Sequence, residues 1–335
     1  MDKGVHTGTG WRPRRIASAA VLLVAMVTAA CGGGPATATT SGAWTVIHPE
    51  PSAASPDYSS IYGVSCPSAK FCAAVDEAGN ALLWNGSHWS TPRSASPDGT
   101  LNAVSCTSST FCMTVSGQRA LVFDGTTWKP QGAVGPAPTG PNGGEYELSC
   151  TSPTFCASVN TAGVVATFDG STWGNDVQVD VGTATRPVQD ISCTSHTFCV
   201  VVSATGHIST LKGRTWSHLT SPGTSLLHSV SCATASFCMA LDLTGHALVF
   251  DGSTWTAAQT MPGATALTYS VTCPTASHCV VARSDGSISV WQSGSWSQPQ
   301  TVMTDGSLAT ADVTCTSTAF CALVDSSGSI ATYRG

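Results

Sequence analysis

Charge is what this sequence lacks most. Its acidic and basic side chains make up 10% of 335 residues, against about 25% in an ordinary soluble domain, and lysine is nearly absent. So little charge argues against long solvent-facing helices. With abundant Gly, Ser and Thr it suits an all-β protein with many turns. A long apolar run is also missing: Ile16 to Val27 is uncharged but too short to cross a bilayer comfortably. The nine histidines are scattered, and none pairs at i, i+4 or in another metal-binding pattern. No metal and no cofactor are therefore expected, and no nucleophile–base–orienter set can be singled out, so no catalytic residue is assigned.

What is present begins with a targeting segment. Lys3, Arg12, Arg14 and Arg15 precede the apolar stretch, and residues 1–30 read as a signal peptide. Thr28-Ala29-Ala30-Cys31 resembles a bacterial lipobox, in which Cys31 would become the lipidated first residue; the alternative is a plain secretory signal cleaved near Ala30. The mature chain would keep nine basic and eighteen acidic side chains, a formal charge of −9, which excludes a nucleic-acid-binding surface. Residues 31–41, with Gly and Thr and no core residues, read as a lipid-anchored flexible tether.

Cysteine then sets the architecture. Fourteen of the fifteen form seven pairs with five residues between the members: Cys66/Cys72, Cys106/Cys112, Cys150/Cys156, Cys193/Cys199, Cys232/Cys238, Cys273/Cys279 and Cys315/Cys321. The period is close to forty residues, which with β-type content points to a propeller. In each repeat a strand ending in Val-Ser-Cys or a close variant, a second opening with Phe-Cys in six of the seven, a Gly turn, a third strand and a second Gly turn lead to a Trp that starts a fourth strand. Export makes oxidation the expectation, and a hairpin can bring each Cys-x5-Cys pair within disulfide range.

The two ends complete each other. The last repeat stops at Tyr333-Arg334-Gly335, where the fourth strand should begin, and Gly42-Ala43-Trp44-Thr45 supplies that strand out of place. Residues 42–335 are thus expected to be an all-β, seven-bladed propeller of four-stranded blades, with the N-terminal strand closing the last.

The repeat, with its VSC, FC, Gly-turn and DGSTW elements, resembles one in secreted and surface propeller proteins of actinobacteria. That resemblance implies fold and an extracytoplasmic location, and no settled activity. Asp124, Asp169 and Asp251, each followed by Gly, also resemble the Asp-box turns of sialidases, a likeness of a turn and not of catalysis.

Positions that recur between repeats are scaffold, and positions that differ are free to form a site. Four residues before each first Cys stand Tyr62, Asn102, Tyr146, Gln189, His228, Tyr269 and Ala311; one place later stand Gly63, Ala103, Glu147, Asp190, Ser229, Ser270 and Asp312. Four residues after each second Cys come Asp76, Asp242 and Asp325 in three of the repeats. The sequence reading makes Tyr62, Asn102, Tyr146, Gln189, His228 and Tyr269 ligand contacts at the propeller mouth, with Asp76, Asp242 and Asp325 as a polar rim; the alternative is solvated loop ends. The function expected is a non-catalytic binding module, a monomer at the outer face of the cell membrane, whose partner is a protein, a peptide or a cell-envelope glycan. Two alternatives are a glycoside hydrolase or lyase using carboxylates such as Glu147 and Asp190, and an extracytoplasmic assembly or sensory scaffold.

Overall fold

A computed structural model describes residues 39–41, 44–49, 59–97, 99–135, 146–179, 187–224, 226–263, 266–304 and 311–335. Residues 1–30, expected to be a signal peptide, and Cys31 lie outside them. The described chain is a seven-bladed β-propeller of antiparallel sheets. Blade 1 shows the pattern: strand a Ile61–Ser68, strand b Phe71–Asp76, strand c Asn80–Trp84 and strand d Arg93–Ser94. In blades 2 to 7, strand a is Ala103–Ser108, Tyr146–Ser152, Val188–Ser195, Leu227–Thr234, Thr268–Thr275 and Ala311–Ser317.

The middle strands explain the apolar runs after each Phe-Cys. Strand b has a neighbouring blade against each face, so alternation disappears: Cys72, Ala73, Ala74 and Val75 are all fully buried. The core is divided among seven clusters, each joining two adjacent blades; one, for example, packs Ala73, Val75 and Ala81 of blade 1 against Val104, Cys112 and Phe123 of blade 2.

All seven cysteine pairs are disulfides with Cα atoms 3.9–4.1 Å apart: Cys66–Cys72, Cys106–Cys112, Cys150–Cys156, Cys193–Cys199, Cys232–Cys238, Cys273–Cys279 and Cys315–Cys321. They are consistent with an extracytoplasmic location. Spacing alone did not show how the two members of a pair differ. The second member opens strand b and is buried in every blade: Cys72, Cys112, Cys156, Cys199, Cys238, Cys279 and Cys321 are each 0–3% exposed. Each of the seven inter-blade clusters contains one of them. These sulfurs are therefore core atoms as well as cross-links, and they form no part of a solvent-facing site.

Local hydrogen bonding repeats with the blades too. Two residues after each first Cys, a Ser or Thr hydroxyl accepts the N–H two places on, as Ser108 does from Thr110 at 3.2 Å, and this folds every a–b hairpin. The serine of Val-Ser-Cys faces the next blade: Ser65 Oγ accepts the Cys106 N–H at 2.9 Å, and the same bond follows at Cys150, Cys193, Cys232 and Cys273, with Thr272 serving Cys315. The recurring motif is thus a belt of hydrogen bonds around the channel.

The ring closes as the two chain ends predict. Trp44–Ile47 pairs with Ile330–Arg334, Trp44 opposite Tyr333, and the two rings lie 5.4 Å apart. One expectation needs correction. Thr39–Ser41, expected within the tether over 31–41, pairs with Trp44–Ile47 as a fifth strand; residues 31–38 lie outside the described residues. The outer strand would otherwise present an open edge, which this short strand covers.

Candidate mouth of the central channel

The a strands begin around one cavity of about 620 Å³. Tyr62, Asn102, Gln189, His228 and Tyr269 all line it. A register feature places them there. In blade 1, Ile61 opposes Asp76 and Gly63 opposes Val75, so Tyr62 is the extra residue of a β-bulge. Gln189, His228 and Tyr269 are the extra residues of the same bulge in blades 4, 5 and 6. In blade 2 the Asn102 N–H bonds the carbonyl of Val115, the residue opposite Ala103. A bulge turns a side chain off the sheet face, here into the lumen.

Tyr146 is not at the mouth, contrary to the sequence expectation. Blade 3 has no bulge at the start of strand a: Tyr146 opposes Asn160 directly, and Glu147 opposes Val159. Tyr146 therefore takes the place of Ile61, Val188 and Leu227 in the other blades and points into the interface between blades 2 and 3, where it is 2% exposed. Burial raises its hydroxyl pKa, with Asn160 and Gln118 as the polar side chains beside it.

Asp76, Asp242 and Asp325 are not a rim either. They are 1–2% exposed. Each closes the b–c turn of its blade: an Oδ1 atom accepts the N–H four residues on, from Asn80, His246 and Ser329, at 2.7–2.8 Å. Asn160 does the same for Val164. The position varies among small acceptors because any of them can brace the turn. Burial pushes the Asp76 carboxyl up. Burial pushes Asp242 up as well, but its bonds to Thr224, Thr244 and His246 outweigh this and hold it below the usual range.

The second ring of varied positions also lines the cavity, from Gly63 round to Asp312. It contains a belt that the sequence reading did not foresee. In strand a, the N–H two places before the Cys points away from strand b and towards the preceding blade. Asp190 Oδ2 accepts this N–H from Val230 at 2.7 Å and the Ser229 hydroxyl at 3.0 Å. Ser229 Oγ accepts it from Val271, Ser270 Oγ from Val313, and Asp312 Oδ2 from Val64. The Ile191 N–H bonds the carboxylate of its own neighbour, Asp190.

Burial raises the Asp190 carboxyl to about 7, against the lowering effect of its hydrogen bonds, and Asp312 is raised for the same reason. His228 is pushed down to about 4 by burial, so its imidazole is neutral at pH 7. Its Nδ1 lies 2.7 Å from Gln189 Oε1, and Gln189 Nε2 donates to the Pro187 carbonyl. Because a carbonyl oxygen only accepts, Nδ1 carries the proton and Nε2 is left as an acceptor. The Tyr269 ring stands edge-on to His228 at 5.7 Å. Three carboxylates and no lysine or arginine stand among the described residues that line the cavity.

Comparison with known proteins adds the fold and no family. No protein-family model matches the chain, and no curated protein matches it in sequence. Many solved propellers do match in structure. YCF48 bound to D1 peptide has a TM-score of 0.66 at 16% identity, over 90% of this chain and 99% of that one. The WD40 β-propeller domain of Doa1 gives 0.65 at 14%, over 82% and 92%. Virginiamycin B lyase from Staphylococcus aureus gives 0.68 at 8%, over 87% and 99%. At such identities the likeness is one of fold alone, and proteins of different activities share it.

Proposed function

We propose that this chain is an exported interaction module that holds a short peptide segment of a partner protein in its central mouth. The observation that carries this reading is the set of bulges. A frame that otherwise repeats turns Tyr62, Gln189, His228 and Tyr269 into one cavity. Aromatic and neutral polar groups on a rigid ring suit peptide capture, since rings give large contact area at low entropy cost. The cavity volume is in the range of small-ligand sites. The peptide held by the propeller YCF48 is a precedent for the fold. Cys31, as a lipidated first residue, would keep the module at the outer face of the membrane, in keeping with the resemblance to actinobacterial surface repeats.

An enzyme acting through Glu147 and Asp190 is less well supported. Both Asp190 oxygens are engaged by Ile191, Ser229 and Val230, so that carboxylate serves the ring. The test is selection of binders from a random peptide library on the full chain, followed by titration of His228→Ala and Tyr269→Ala. Each substitution should weaken binding by roughly 1–2 kcal/mol with little change in melting temperature. If no peptide binds, or if both variants bind as the wild type does, the mouth is not a peptide site.

A further inference from the structure

The belt of inward N–H groups has a gap. Five of its seven donors find a side-chain oxygen, at Val64, Ile191, Val230, Val271 and Val313. The other two belong to Val104 and Leu148. The residues of the preceding blade that would serve them are Gly63 and Ala103, which carry no oxygen. A Cβ placed on Gly63 would stand 3.4 Å from the Val104 nitrogen, so the missing side chain faces that donor directly. Register confirms the direction of both N–H groups: Val104 opposes Thr114 and Leu148 opposes Ser158, each two places from a disulfide pair, as the bonded donors do in their own blades. Among the described residues no side-chain oxygen reaches either group, and both residues line the cavity.

A backbone donor that faces a cavity and has no protein acceptor is left for water or for a ligand. We propose that Val104 and Leu148 form an acceptor-oxygen subsite that takes a backbone carbonyl of the bound peptide; this rests on the peptide reading above. The ligand oxygen expected is that of a neutral carbonyl, because Glu147, Asp190 and Asp312 line the same cavity and no lysine or arginine does among the described residues, so an added anion would meet like charge. Across the ring, the Nε2 of neutral His228 accepts an N–H. The mouth thus offers donors on blades 2 and 3 and an acceptor on blade 5, the two halves of peptide-group recognition.

The other blades provide the test. Ser229 and Ser270 show how a hydroxyl at this position caps the next blade's N–H, and Gly63 is not in the left-handed region, so serine fits its backbone. Gly63→Ser and Ala103→Ser should close the gap from within. Both should fold with a melting temperature at or above wild type, and each should weaken a library-selected peptide about fivefold or more, the effect of one lost hydrogen bond. Amide hydrogen exchange supplies a readout without ligand: Val104 and Leu148 should exchange faster than Val230 in the wild type. Gly63→Ser should slow Val104 alone, and added peptide should slow both. Tight binding that survives both substitutions would overturn the subsite and leave the peptide reading standing. Absence of any binding peptide would overturn both, as would displacement of the peptide by N-acetylated chitooligosaccharide in favour of a glycan.

Discussion

Arg283 stands where the other blades use a small polar residue to close the b–c turn, and it is fully buried. Its guanidinium donates to Ser289 Oγ at 3.1 Å and to the carbonyls of Gly263 and Pro262, both at 2.7 Å, tying the connection between blades 5 and 6 to blade 6. Burial lowers its pKa, opposed by Asp285, yet a guanidinium stays charged and its fork matches two carbonyls. Arg283→Met should cost on the order of 3 kcal/mol, since it strands two acceptors, and Arg283→Lys should rescue little of this. Thermal or urea unfolding measures both. A second residue-scale prediction concerns pH. His228 titrates at about 4 in the fold, below its ordinary 6.5, so the unfolded chain binds more protons between those values and stability from this group rises with pH. Asp190 is raised from 3.8 to about 7; here the folded chain binds more, and its contribution is lost as pH rises through that window. The two oppose each other. Asp190→Asn should make the melting temperature climb more steeply between pH 4.5 and 6.5 than in wild type, and His228→Gln should do the reverse. Parallel profiles would show that neither group titrates as its burial implies.

At the scale of elements, strand pairing was legible from spacing, and side-chain direction was not. The cysteine period, the turn glycines and the displaced Trp44 strand required only counting, because disulfide geometry and positive-φ turns admit few residues: Gly79, Gly163 and Gly245, for instance, lie at φ 82°, 83° and 91°. Tyr146 was misread because a bulge is one residue long. Its presence at Tyr62 and its absence at Tyr146 leave the distance to the Cys unchanged, and the difference lies in which residue opposes the end of strand b, Ile61 in blade 1 and Tyr146 itself in blade 3. Asp76, Asp242 and Asp325 were misread because variation among Asp, Asn and Ser looks like freedom, whereas all three types brace the same turn. The belt at Asp190 and Asp312 was hidden for another reason: its partners are in the next repeat. Two predictions belong here. Replacing Cys106 and Cys112 together by Ser should lower stability by at least about 2 kcal/mol without changing the fold, the loss of a cross-link on so short a loop adding to a hydroxyl buried at position 112, measured by denaturant unfolding. Deleting 44–47 should cause a large fall in melting temperature by opening blade 7, while deleting 32–38 should cause almost none.

For the whole molecule, seven similar blades make a rigid ring whose differences collect at one end of the channel. Rigidity comes from the inter-blade clusters and two tiers of hydrogen bonds between neighbouring a strands, the first at six blade interfaces and the second at four. The side chains that differ are therefore held on a hydrogen-bonded, packed frame, which favours binding without loss of order. Export and anchoring would add a fixed address: Cys31→Ser should release the protein from the membrane fraction, and unchanged fractionation would remove the lipid from the account. The central claim is that the mouth is where a partner peptide sits. A crystal structure of the full chain with a library-selected peptide tests it most directly. The account predicts peptide density inside the mouth, packed on His228 and Tyr269, with a backbone carbonyl within hydrogen-bond distance of the Val104 or Leu148 nitrogen. A peptide seated on the outer strands or on the opposite face, with the mouth unoccupied, would contradict it.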